Sequence, residues 1–240
     1  MIIPFFTRLI PQKVKKSIRE KMGVPSQEIS LTNIKRLGFS PKFCLDIGAY
    51  EGYWTGDFKK IFPGCAITMI EGQSLKEPAL IKVKNAYSDV NYKIALLGAA
   101  EAAVNFNIYE SASSVLVEHF DTEAKTEQRN LLILDKLLEK NDHKKPDFIK
   151  IDTQGYELEI LKGGEKALAH AEFVLLEVSL LDIYVNSPLV IDVLNFMKER
   201  GFVLYDICTL MKRPLDNALF QSDFLFVKEN SQFRNNKHWA

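Results

Sequence analysis

The sequence predicts one α/β domain: a mostly parallel, seven-stranded sheet with an antiparallel closing strand and helices on both faces. Three observations predict it. Short apolar runs ending in an acid recur at Asp46, Glu71 and Asp152, as buried parallel strands do when they run into ligand-facing turns. Stretches of helical period separate these runs, so the crossovers are right-handed and the sheet is covered on both sides. The last two runs, Val203 to Ile207 and Asp223 to Val227, lack an intervening helix of crossover length. They must therefore pair antiparallel, at one edge.

The elements follow in order. Pro25-Ser26 opens a short helix striped by Leu31, Ile34 and Leu37 and closed by Gly38. Phe43 to Gly48 is the first strand and its turn, and a helix follows from Gly52 to Phe62. Pro63-Gly64 ends that helix, and Ala66 to Ile70 is the second strand, with Glu71 at its end. A helix from Ser74 to Asn85 leads to a third strand from Asn91 to Leu97. Val104 to Tyr109 alternates apolar and polar residues, which indicates an inserted strand or hairpin. Residues 111–130 are polar and unpatterned, and read as a loop with some helix. The second half of Leu131 to Lys140 reads as helix, Asp147 to Asp152 as a buried strand. The helix from Tyr156 to Ala169 is interrupted at Gly163-Gly164. Phe173 to Val178 is a strand and Val190 to Arg200 a helix, ended by Gly201. These spans give three parts: an extension over 1–24, a domain over 25–230 and a polar tail over 231–240.

Lys+Arg and Asp+Glu both number 31. That balance removes the usual electrostatic argument for a nucleic-acid partner. Cys44, Cys65 and Cys208 are far apart and lie in apolar stretches, as buried free thiols of a reducing compartment do. No Cys/His cluster suggests a metal site. With neither a transmembrane-length run nor a signal-peptide pattern, the expected location is cytoplasmic. Near the start, Ile10, Val14, Ile18 and Met22 fall four apart among Lys13, Lys15, Lys16, Arg19 and Lys21. Such a helix packs its stripe on a domain, which is the reading preferred here, or lies on an anionic membrane as a peripheral contact.

Ligands of open α/β sheets bind beyond the carboxyl ends of the strands, where three segments carry chemistry. Asp46-Ile47-Gly48-Ala49-Tyr50-Glu51-Gly52 has the form D-x-G-A-x-x-G. Gly48 permits a sharp turn and the close approach of a ligand, and Gly52 close packing where the helix begins. Ala49-Tyr50 replaces the second glycine that a dinucleotide's pyrophosphate requires. S-adenosylmethionine carries a sulfonium and no phosphate, and an acid-led loop suits it better. Glu71, 25 residues after Asp46, can chelate two ribose hydroxyls through its two oxygens.

The third segment is Lys150-Ile151-Asp152-Thr153-Gln154-Gly155-Tyr156-Glu157, continuing to Lys162-Gly163-Gly164. With the earlier loop, this block resembles the signature of the FkbM-type methyltransferases. The resemblance takes in Leu134 to Leu138, Leu176-Glu177-Val178, Gly201-Phe202 and Gln221 to Phe226, and runs from about residue 30 to residue 228. Tyr50 stands where the family often has Asn, and Glu71-Gly72 where it commonly has Glu-Pro. The resemblance implies a Rossmann-like class I methyltransferase fold and S-adenosyl-L-methionine as donor. The acceptor it implies is a hydroxyl on a small molecule, sugar or polysaccharide. It also implies that Asp46, Gly48, Ala49, Gly52, Tyr53, Glu71 and Gly72 form the donor site. Ala95 and Leu96 would lie near the adenine, with Ser113-Ser114 also approaching the donor.

A hydroxyl nucleophile must lose its proton near the transition state. Asp152 is the first candidate for the base, Glu177 the second and His119 the third. The stretches 110–130 and 179–190 are expected to build the acceptor pocket, with Phe120, Tyr184 and Asn186 available there. Two alternatives share the fold class: a non-catalytic adenosyl binder and a nicotinamide-dependent oxidoreductase. The sequence leaves the oligomeric state undetermined.

Overall fold

The computed structural model describes residues 21–109, 113–119, 125–140 and 145–238. The basic N-terminal helix lies almost wholly outside the described residues, as does Phe120. In chain order the elements are α1 (Gln27–Arg36), β1 (Phe43–Ile47), α2 (Tyr53–Ile61), β2 (Ala66–Glu71), α3 (Glu77–Ala86), β3 (Val90–Ile94) and β4 (Leu96–Leu97). They continue with β5 (Ala103–Ile108), β6 (Lys125–Leu132), α4 (Leu134–Glu139), β7 (Phe148–Ile151), α5 (Glu157–Lys162), α6 (Glu165–His170) and β8 (Phe173–Ser179). The last are α7 (Val190–Glu199), β9 (Phe202–Ile207), β10 (Met211–Lys212) and β11 (Leu219–Lys228).

The main sheet runs β11-β8-β7-β1-β2-β3, with β9 and the short β10 both paired to β11 on its outer side. Neighbouring strands from β8 to β3 are parallel, whereas β11 is antiparallel to β8 and to β9. The closing hairpin is thus at one edge, as the missing crossover helix requires, with its final strand inserted between β9 and β8.

Side chains of the central strands are buried on both faces and alternate between two cores with the two-residue period. Leu45, Ile47, Ile149, Ile151, Val174 and Leu176 face one core, shared with α4 to α7. Cys44, Phe148, Phe173, Leu175 and Leu225 face the other, with Phe39, Phe58 and Phe62 packed in contact around them. All three cysteines are buried and free.

Three local differences from the sequence reading have physical causes. The third strand divides at Ala95, where β3 stays with β2 while β4 turns away to pair with β6. Residues 125–130, expected in a loop with some helix, form most of β6, a largely polar strand held by its ladder to β5. Strand identity there comes from pairing, not from apolar alternation. The expected polar tail begins with Ser231 buried and Phe233 packed on Phe39 and Phe173, so the core extends past residue 230.

Candidate active site

The carboxyl ends of β1, β2 and β7 open into a cleft of about 660 Å³, counted to its mouth. Gly48, Tyr50, Glu71, Gly72, Ala95, Leu96, Phe106, Asp152 and Gln154 are among its walls. The two charged side chains on this wall, among the described residues, are Glu71 and Asp152.

Glu71 is held in place by backbone. The amides of Tyr50 and Gln73 donate to its two carboxylate oxygens at 2.7 and 2.8 Å. Each oxygen keeps a further lone pair for a hydroxyl on a ligand. Burial pushes the Glu71 carboxyl above its ordinary range, against those two amides, which pull it down. Tyr50 adopts a left-handed φ of 51°, a genuine outlier for a bulky residue. The Tyr50 ring is covered by the Lys76 ammonium, 4.0 Å from its centroid.

Glycine is required at two points of the cleft. A Cβ on Gly48 would lie 1.8 Å from the carbonyl oxygen of Asp152. One on Gly72 would lie 2.5 Å from Leu96 Cδ2 and 2.9 Å from the Phe106 ring. Gly52 has φ 77° and begins α2 against Met69 and Val83.

Four residues expected at the donor site, Asp46, Ala49, Tyr53 and the Gly52 just described, are not among those lining the cleft. Asp46 lies beneath the loop and not on the cleft wall, because a fully buried carboxylate needs partners of its own. One oxygen accepts from Thr55 Oγ1 at 2.7 Å, and the other lies 3.2 Å from Lys150 Nζ. Lys150 donates in turn to the Gly48 carbonyl at 2.9 Å. Burial opposes the Lys150 charge, but the carboxylates of Asp46, Asp152 and Glu177 outweigh it and raise its pKa. The pair therefore shapes the glycine loop from below. Ala49 is buried in the second core. Tyr53 is 70% exposed and its hydroxyl donates to Glu51, because α2 turns that face outward.

The candidate bases meet at β7 and β8. Asp152 is partly exposed on the wall, and the half-buried Glu177 is not among the residues that line it. Gln154, which sequence reasoning quoted without a role, joins them: its Nε2 donates to Asp152 Oδ1 at 3.2 Å and to Glu177 Oε2 at 2.8 Å. Burial first, then the charges of Asp152, Glu157 and Asp223, push the Glu177 carboxyl well up. Glu157 is buried under the same loop and accepts from the amides of Thr153 and Gly155 at 2.8 and 3.2 Å. Desolvation lifts its pKa to about 7.

The two segments expected to build the acceptor pocket meet each other. Val185 N–H donates to the Val117 carbonyl and His119 N–H to that of Ile183. Tyr184 is buried beneath this contact, while His119 and Asn186 are exposed and stand outside the cleft wall. Ser113 and Ser114 do reach the wall, as do Phe106, Gln73 and Thr153. Phe106, Gln73 and Thr153 were not singled out from the sequence. Thr153 lies inside the quoted D-T-Q-G run, which was its available signal.

The family model described as Methyltransferase FkbM domain matches residues 46–204. The chain belongs to the FkbM methyltransferase family. Over 44 residues it is 43% identical to the hexuronic acid methyltransferase AglP of Haloferax volcanii, a stretch covering 18% of this chain and 18% of AglP. A solved FkbM methyltransferase from Methylobacillus flagellatus superposes with a TM-score of 0.52 at 20% identity, over 77% of this chain and 43% of that one. The fibrillarin pre-rRNA processing protein of Methanococcus jannaschii superposes at 0.50 with 13% identity, over 79% and 67%. The chain thus spans less than half of the FkbM structure and a small share of AglP. These likenesses agree with the strand order, which is that of class I methyltransferases. S-adenosylmethionine is the methyl donor expected of this FkbM methyltransferase. The cleft fits it: Glu71 offers carboxylate oxygens for hydroxyls, and Leu96 and Phe106 supply apolar surface. Among the described residues no helix is long and apolar enough to cross a membrane.

Proposed function

We propose that this FkbM methyltransferase transfers methyl from S-adenosylmethionine to a hydroxyl of a sugar, polysaccharide or natural-product acceptor. The observation that carries the reading is Asp152, a partly exposed carboxylate on the donor cleft that shares the Gln154 amide with a second acid, the half-buried Glu177. A neutral hydroxyl needs a base within hydrogen-bond reach, and Asp152 supplies one. Glu177, the second candidate, does not line the cleft and takes no direct part in this reading.

The charge of the cleft separates hydroxyl from carboxylate acceptors. A carboxylate acceptor needs no base and benefits from a cation, whereas the charged groups on the described wall are both acidic. Lys150, the nearby cation, is turned onto Asp46 and the Gly48 carbonyl. The hexuronic-acid activity of AglP supports a sugar as acceptor, and the acidic wall supports its hydroxyl as the methylated group. The same wall disfavours the pyrophosphate of a nicotinamide cofactor.

In this mechanism the donor, when bound, supplies an electrophilic methyl group. Glu71, Gly48, Gly72, Ala95 and Leu96 would hold it, and Asp152 takes the acceptor's proton. Incubation with methyl-labelled donor and a panel of neutral and uronate-bearing glycans tests this. Alkali-stable methyl ether on a hydroxyl is the expected product, and Asp152→Asn slows its formation ~100-fold or more. Label found as alkali-labile ester, or full activity in Asp152→Asn, would refute the reading.

A further inference from the structure

We propose that Gln154 is a positioning residue: its side-chain amide clamps Asp152 and Glu177 into one hydrogen-bonded acid pair, with Asp152 presented to the cleft. The proposal rests on Asp152 being the base. The geometry that supports it is specific. An amide nitrogen carries two hydrogens, and here they are directed at two different carboxylates, at 3.2 and 2.8 Å.

The opposite end of the amide is fixed as well. Gln154 Oε1 accepts from the buried Tyr184 hydroxyl at 2.9 Å and from Gln221 Nε2 at 3.4 Å. A rotated amide would set its oxygen against two carboxylates, so the two acids select the orientation in which both receive a proton donor, and Tyr184 and Gln221 hold the other end. Tyr184 is in turn held by the bridge between residues 117–119 and 183–185.

The backbone is committed too. Gln154 adopts φ 57°, and Gly155 follows with φ 92°. Left-handed conformations at non-glycine residues are strained and persist where the surroundings hold them. Here the Gln154 carbonyl accepts from Ser114 Oγ at 2.9 Å, and the Glu157 carboxyl caps the loop from the far side. The strained turn directs the amide between the ends of β7 and β8.

The ionisable groups around the pair come from each element packed on it. Lys150 lies 3.6 Å from Asp152. Asp223 is opposite Glu177 in the β8–β11 ladder. Glu157 and Tyr184 complete the set. Gln221 also donates to Glu177 Oε2, at 3.1 Å, so this acid keeps one amide donor when Gln154 is replaced.

The test is a carbon-13 carboxyl NMR titration of Glu177 in the full chain, for the wild type, Gln154→Leu, Tyr184→Phe and Asp152→Asn. It requires no acceptor. A donated hydrogen bond favours the ionised acid, so Gln154→Leu raises the Glu177 midpoint by about one pH unit. Tyr184→Phe removes one of the contacts that hold the amide and raises the midpoint by less. Asp152→Asn lowers it by removing a neighbouring charge. A Glu177 midpoint unchanged in Gln154→Leu overturns the clamp. If Gln154→Leu does not fold, Gln154→Asn, too short to reach both acids, decides in its place: a raised midpoint supports the clamp, and an unchanged one overturns it. Methyl transfer by Asp152→Asn judges the base separately. Full activity there removes the base reading, while the Glu177 midpoints still report on the clamp.

Discussion

Several side chains around the cleft are constrained by the protein's own backbone. Glu71 is the clearest case, since two main-chain amides fix its carboxylate at the end of β2. Hydrogen bonds to charged groups contribute about 1.5–3 kcal/mol, so Glu71→Ala is expected to weaken donor binding ~10- to 100-fold. Isothermal titration with S-adenosylhomocysteine measures this. Gly48→Ala should be worse, because its Cβ has no room beside the Asp152 carbonyl and φ is 72°. Loss of ligand binding together with a lower melting temperature is expected. The acid-ended strands made Glu71 and Asp152 legible in the sequence. Asp46 was legible as an important acid but not as a buried one. Its partner Lys150 comes from a strand about a hundred residues away, and pairing at that separation leaves no local signature.

Elements were legible wherever periodicity alone decided them. The apolar runs of β1, β2, β7 and β8 and the helices between them are set by burial on both sheet faces. The break between α5 and α6 at Gly163-Gly164 was visible as paired glycines. Its cause is tertiary: a Cβ on Gly163 would lie 2.2 Å from the Gly98 carbonyl oxygen. Gly163→Ala is therefore expected to destabilise the fold by about 1–3 kcal/mol. Chemical denaturation reads this as a lower midpoint at unchanged slope. β6 and the division of β3 from β4 escaped the sequence reading for one shared reason. Both depend on which strand is available to pair, and polar residues such as Thr126, Gln128 and Asn130 carry no apolar period.

At the scale of the whole molecule, the sheet gathers ionisable groups from distant strands onto one face. By the pleat, Asp46, Lys150, Glu177 and Asp223 share the face of Cys44, Phe148, Leu175 and Leu225. This arrangement has a pH signature. Unfolded, the Glu157 carboxyl releases its proton near 4.5, and folded near 7. Between these values the native state binds more protons, so stability falls as pH rises. The contribution is complete below 4.5 and is lost by about 7, a change of about 3 kcal/mol for this one group. Glu177, also raised, adds in the same direction. Thermal unfolding of Glu157→Gln across this window should show a flatter pH dependence than the wild type. A wild-type stability that rises through the same window would contradict the assignment.

The central claim is that the cleft at the ends of β1, β2 and β7 is the donor site and that Glu71 anchors it. Calorimetric titration with S-adenosylmethionine, S-adenosylhomocysteine and NAD, in the wild type and Glu71→Ala, tests it most directly. The account predicts saturable binding of both adenosyl ligands, strongly weakened in the variant, and no binding of NAD. Undiminished binding in Glu71→Ala, or binding of NAD in place of the adenosyl ligands, would contradict it.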